Sequence, residues 1–230
     1  MTYLVLIASV LIGVILVQFI NDLKPAAIKL LLAFSGAYLF AICVFHLLPE
    51  VYQSNSTNIG LFLLMGFILQ IVLEFFSKGI EHGHGHLHNH TIPVSMLISL
   101  AIHAYLEGMP LGGIEEHIGH DHYRGSLLTG IALHKIPVTI VLMSLFAQAG
   151  YSKMRSFVLI TIFALMAPLG TLTGDLVQEL SQYHSEITAI VVGIFLHIST
   201  TILFESSEAH KFNFMKLVAI ALGSVLAWMI

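Results

Sequence analysis

Apolar residues run through this chain in long blocks, and polar residues collect in the short gaps between them. A block of about 20 such residues is long enough to cross roughly 30 Å of hydrocarbon as an α-helix. The pattern predicts eight spans, at 2–20, 26–48, 58–77, 92–113, 124–148, 154–174, 186–205 and 213–230. So little chain remains for loops that residues 1–230 are expected to form a single all-α membrane domain, an eight-transmembrane-helix bundle. Met1-Thr-Tyr-Leu lacks a basic n-region and a small-residue cleavage pattern, so the first block reads as a span and not as a removable signal peptide.

Composition agrees: 57% of the residues are hydrophobic, 10% are charged, and the mean hydropathy is +0.91. Charge adds an orientation, because Lys and Arg near span ends gather on the cytoplasmic side. Lys24, Lys29, Lys78, Lys153, Arg155, Lys211 and Lys216 all fall on one side, Arg124 falls on the other, and Lys135 lies within a span. Both termini are therefore expected outside. Glu50, Glu115, Glu116, Asp121, Asp175, Glu179 and Glu186 supply much of the net charge of −4 on that outer side. Such a surface draws cations and disfavours nucleic acid. Cys43 is the single cysteine, so no intrachain disulfide is available.

Two strings break the apolar pattern at membrane depth: His103-Ala-Tyr-Leu-Glu107-Gly108-Met-Pro110 on span four, and His134-Lys135-Ile-Pro137 on span five. Ionisable groups are costly there and default to a functional reading. His103 and Glu107, spaced i and i+4, share a helix face, and His134 is expected at a similar depth. Two imidazoles and a carboxylate form the usual ligand set of an open tetrahedral zinc site. Iron, manganese, cobalt, nickel and cadmium are the other divalent candidates, and magnesium and calcium suit nitrogen ligands poorly. Pro110 and Pro137 are each expected to kink their helix and free a carbonyl, of Leu106 and Leu133, toward a polar pathway. Gly108 permits close helix approach. The same residues admit a simpler arrangement, in which Lys135 pairs with Glu107 and no metal binds.

Further histidines lie outside this group. The segment 78–91 carries His82, His84, His86, His88 and His90 in alternation on the inner side, a composition suited to loose metal binding. Outside, His117, His120 and His122 follow Glu115 and Glu116, as a metal-loading cluster or as an ordinary polar loop. His46 with Glu50 ends span two and His197 lies on span seven. Each histidine fits a pathway ligand and a packing residue equally well. Glu74, Asp175, Glu205 and Glu208 read as solvated carboxylates at span ends. The strings His46-Leu-Leu-Pro-Glu50 and His197-Ile-Ser-Thr-Thr-Ile-Leu-Phe-Glu205 are alike in the way inverted repeats are, though too short to establish one.

With these motifs in view, the chain resembles the ZIP (Zrt/Irt-like) family of divalent-metal transporters over essentially its whole length. The shared features are eight spans, a His-rich inner loop after span three, His-Leu-Leu-Pro-Glu on span two, and the paired motifs on spans four and five. Typical members carry His-Asn-x-x-Asp/Glu-Gly on span four, matched by His103, Glu107 and Gly108 with Ala104 in place of Asn. On span five they carry His-Glu-x-Pro-His-Glu, matched by His134 and Pro137 with Lys135 and Val138 in place of an acid and a histidine. The resemblance implies a ZIP-type bundle with an inverted repeat, import of metal toward the cytosol and a possible homodimer. It implies a primary site at His103, Glu107 and His134, with ligands of an adjacent second site lost. A branch of the family with His-Lys-x-Pro on span five looks similar, and the Lys135 ammonium is then expected near the place of the second metal.

The expected function is thus transport of divalent metal, zinc foremost, through a mononuclear site, by a protein that is not an enzyme and needs no cofactor. The bilayer and the ion are its partners, and its small size points to a bacterial plasma (inner) membrane. A rival use of the same ligands is an intramembrane zinc-dependent hydrolase, but no His-Glu-x-x-His pair supplies a base and Lys135 substitutes poorly. A metal-sensing or purely structural membrane protein would lack an output domain.

Overall fold

The computed structural model describes residues 1–19, 25–54, 56–77, 79, 92–113, 121–204 and 214–230. Helices dominate: α1 (Thr2–Phe19), α2 (Pro25–Ile42), α3 (Leu48–Gln53), α4 (Ile59–Ser77), α5 (Val94–Gly108), α6 (Asp121–Gln148), α7 (Lys153–Leu176), α8 (His184–Phe204) and α9 (Phe214–Trp228). α2 continues into α3 through a π-helical segment, Cys43–Leu47, so the two act as one span. Pro49 explains the segment. It has no N–H to offer the preceding turn, and the helix widens until the N–H of Leu48 donates to the carbonyl of Cys43. Joined in this way the helices make eight spans in the order read from the hydropathy. Six are long and apolar enough to cross a membrane unaided, and the two terminal ones are shorter.

Local signals in the sequence set several ends. Pro93 in an extended conformation opens α5, and the Ser152 side chain caps α7 by accepting from the Arg155 N–H. Between α6 and α7 the chain reverses at Gly150, whose φ of +69° suits glycine. There the N–H of Tyr151 reaches back to the Phe146 carbonyl at 3.0 Å, and the two rings stack.

The bundle is built from four close helix pairs: α1 with α6, α5 with α7, α2 with α9, and α4 with α8. Exchanging α1 with α7, α2 with α8, α4 with α9 and α5 with α6 maps these pairs onto one another. Exchanged members have odd and even places among the eight spans, so they run in opposite directions. This pairing is the one an inverted repeat produces. Small residues make each approach possible. A Cβ on Gly66 of α4 would run into the Ile190 carbonyl of α8, and one on Gly193 of α8 into the Leu63 carbonyl of α4. The α5–α7 pair has the most such contacts: Gly108 of α5, Gly112 just beyond it, and Gly170 and Gly174 of α7 each lie against the opposing backbone.

One apolar core joins the pairs, centred on residues such as Leu39, Ile42, Leu100, Leu127, Ile131, Phe146, Phe195 and Ile198. Outward, large side chains including Leu4, Leu11, Leu64, Phe75, Phe157 and Leu226 are exposed. A soluble surface would hide so wide an apolar band, whereas lipid is its natural solvent.

Candidate metal centre

α5 and α6 bring His103, Glu107 and His134 to the interior. All are buried, with 3%, 1% and 1% of their surface exposed. One ligand atom from each lies within 4.8 Å of the others, and among the described residues this is the group of His, Cys, Asp and Glu side chains able to hold a metal ion. The helical i, i+4 spacing sets one part of the geometry, with His103 Nε2 at 2.7 Å from Glu107 Oε1. Only packing sets the other part, because His134 arrives on a different helix.

Lys135 completes the cluster. Its Nζ donates to Glu107 Oε2 at 2.8 Å, and it is 2% exposed. The ammonium also stands over the Phe163 ring of α7, 5.0 Å from the centroid, within cation–π range. One carboxylate thus serves two partners, His103 through one oxygen and Lys135 through the other. The ion pair that the sequence allowed as an alternative is present, yet it leaves the two histidines and Glu107 close enough to share an ion. Both features coexist.

The prolines behave differently from one another. Pro137 sits inside α6, which runs unbroken from Asp121 to Gln148. Pro110 lies beyond the end of α5, in a 3-10 turn over Met109–Leu111. The kink expected within span four is therefore a helix end, and the Leu106 carbonyl is not freed: it accepts the Met109 N–H. The tighter turn supplies this bond where an α-helix would have needed the N–H that proline lacks. The Gly108 carbonyl accepts from the Thr171 hydroxyl of α7 at 3.0 Å.

The outlying candidates separate from the centre. His46 donates through Nε2 to the Ala227 carbonyl of α9 at 3.0 Å, and Glu50 is half-buried on α3. His197 of α8 is paired with Glu74 of α4 and stacked edge-on against Phe67. Glu74 is therefore a paired carboxylate and not a freely solvated one; Asp175 is exposed, as expected of a span end, and there accepts from the Tyr3 hydroxyl at 2.5 Å and the Gly113 N–H at 3.0 Å. Sequence reasoning missed these pairs because their partners come from distant helices, although the rarity of acids in membrane blocks was a usable signal. His82, His84, His86, His88, His90, His117, His120, Glu115, Glu116, Glu205 and Glu208 lie outside the described residues, as does the side chain of His122.

At the ends of α5 and α7 and the start of α8, Met109, Pro110, Gly112, Gly174, Ser181 and His184 line a small cleft. His184 donates from α8 to the Pro110 carbonyl at 3.0 Å and so ties the start of α8 to the turn that follows α5.

Comparison with known proteins agrees with the geometry. The protein zntD of Dictyostelium discoideum is 26% identical over an alignment 154 residues long, which covers 59% of this chain and 22% of that protein. The chain thus spans less than a quarter of the length of this relative. The family model described as ZIP Zinc transporter matches residues 81–230, a stretch that holds the paired motifs of α5 and α6 and most of the bundle. A buried His-Glu-His group between two membrane helices, within a match that covers well over half of the sequence, gives the chain its kinship: it belongs to the ZIP zinc transporter family.

Proposed function

We propose that this protein carries a divalent transition metal, zinc foremost, across the membrane toward the cytosol through a single-ion site formed by His103, Glu107 and His134. The observation that carries the reading is the convergence of these three buried ligand atoms within 4.8 Å of one another. A tetrahedral zinc site with bonds of about 2.0–2.1 Å spaces its ligands at roughly 3.3 Å. The 2.7 Å His103–Glu107 contact therefore opens slightly and His134 closes in. Side-chain adjustments of this size need no refolding of α5 or α6.

Transport follows from where the ligands stand. They lie on α5 and α6, which belong with α1 and α7; α2, α4, α8 and α9 pair among themselves. Motion of one set against the other exposes the ion first to one side and then to the other. The cleft at Met109, Pro110 and His184 begins only two residues beyond Glu107 and supports an outer approach. Glu74 near the inner end of α4, paired with His197 of α8, favours an inner one. The outer cluster of His117, His120 and His122 is then a loading segment, and His82 to His90 on the inner side a receiving one. With a negative interior, a divalent ion gains about 4.6 kcal/mol per 100 mV on the way in, so no coupling ion is demanded. The hydrolase alternative loses ground because no second carboxylate joins the three ligands, among the described residues, to act as general base.

Zinc flux into proteoliposomes is the test. The wild type is expected to take up zinc, and His103→Ala to lose at least tenfold of that rate, consistent with removal of a metal ligand. Equal flux in the two would reject the assignment.

A further inference from the structure

We infer that Lys135 is a tethered counter-cation: it holds Glu107 between transport events, yields it to each arriving metal ion, and so lets the metal-free site change sides as a neutral unit. The inference rests on the carrier reading above and adds to it a role for the residue in which this chain departs from the usual motif.

The argument begins with charge. Glu107 is 1% exposed and Lys135 2%, and their side chains meet at 2.8 Å. A buried carboxylate without a partner is costly, and a metal that comes and goes leaves it so in every cycle. An ammonium on the neighbouring helix removes that cost without leaving the protein. It also opposes the metal: a divalent ion bound to Glu107 would lie only a few ångströms from Nζ, where like charges in a low dielectric repel strongly. Ammonium and ion therefore alternate.

The structure provides for the ammonium when it is displaced. Phe163 of α7 lies 5.0 Å from Nζ, and an aromatic face attracts a cation without carrying a charge that would hold it. Lysine suits this movement, with a compact charge on a flexible stem. Between α5, α6 and α7 the cation thus has two resting places, one on Glu107 and one nearer the ring. Taking the histidines as neutral, Glu107 and Lys135 sum to zero without metal, and each loaded transit moves the two charges of the ion alone.

This reasoning predicts a split between two kinds of flux. In net uptake, zinc enters liposomes that contain none, and the protein must return without cargo. In exchange, labelled zinc enters liposomes already filled with unlabelled zinc, and the protein returns loaded. Lys135→Met is expected to bind zinc about tenfold more tightly, keep exchange within about threefold of wild type, and lose net uptake by about tenfold or more. A parallel fall of both fluxes, or no change in either, would overturn the inference. If thermal unfolding shows Lys135→Met to be misfolded, Lys135→Arg takes its place. Retention of both fluxes then supports a role for the charge, and loss of net uptake alone refutes it. Failure of the carrier reading looks different: the wild type would match His103→Ala in both assays.

Discussion

Glu107 has two oxygens and two partners, and most of what distinguishes this chain follows from that fact. Its Oε1 faces His103 and its Oε2 faces Lys135. Removing one member of a buried ion pair leaves the other uncompensated, at a cost of about 3–5 kcal/mol, whereas replacing both with apolar groups is often neutral. Glu107→Gln should therefore destabilise the protein by about 3 kcal/mol in chemical unfolding, and Glu107→Gln with Lys135→Met should recover most of that loss. Neither form should transport zinc, since both lack the proposed carboxylate ligand. The candidate ligands were legible in the sequence because an i, i+4 spacing and two histidines in apolar blocks are local signals. Phe163 was not legible, since nothing marks one phenylalanine among fifteen as the neighbour of an ammonium.

Among the elements, the α5–α7 contact does most to fix the candidate centre, because α5 carries two of the three proposed ligands. Gly108 follows Glu107 directly, and its Cα presses on the backbone of α7 at Ala167. Gly108→Ala should push the helices apart, cost roughly 1–3 kcal/mol, and weaken zinc binding by shifting His103 and Glu107 relative to His134. Gly125 of α6 has open space around its Cβ position. Gly125→Ala should leave zinc affinity unchanged and stability equal or higher by up to about 1 kcal/mol, since alanine is the better helix former. Calorimetry of the two variants with zinc titration checks both expectations, and similar effects of both would discount the contact. The elements themselves were mostly readable from hydropathy. Pro110 was not, because a proline near a helix end can kink the helix or terminate it. The choice here goes to the 3-10 turn that satisfies Leu106.

For the molecule as a whole, the proposed carrier cycle requires the two sets of helices to move, and His184 bridges them by its bond to the Pro110 carbonyl. Met109 and His184 line the same cleft. A short bifunctional thiol reagent across Met109→Cys and His184→Cys is expected to reduce zinc flux by at least tenfold and leave zinc binding by the protein intact, with reduction restoring flux. Unimpaired flux after complete cross-linking would argue against relative motion at this junction. The number of spans, their order and a side preference for charge were all determined by the sequence alone, because each depends on composition over a window about as long as the bilayer is thick. So was the local half of the centre, His103 with Glu107. Only the tertiary structure decided that His134 and Lys135 reach them, that Glu74 meets His197, and that α5 ends where it does. These contacts join residues far apart in the chain, brought together by small residues that let particular helices pack closely, and no local pattern encodes which helices those will be.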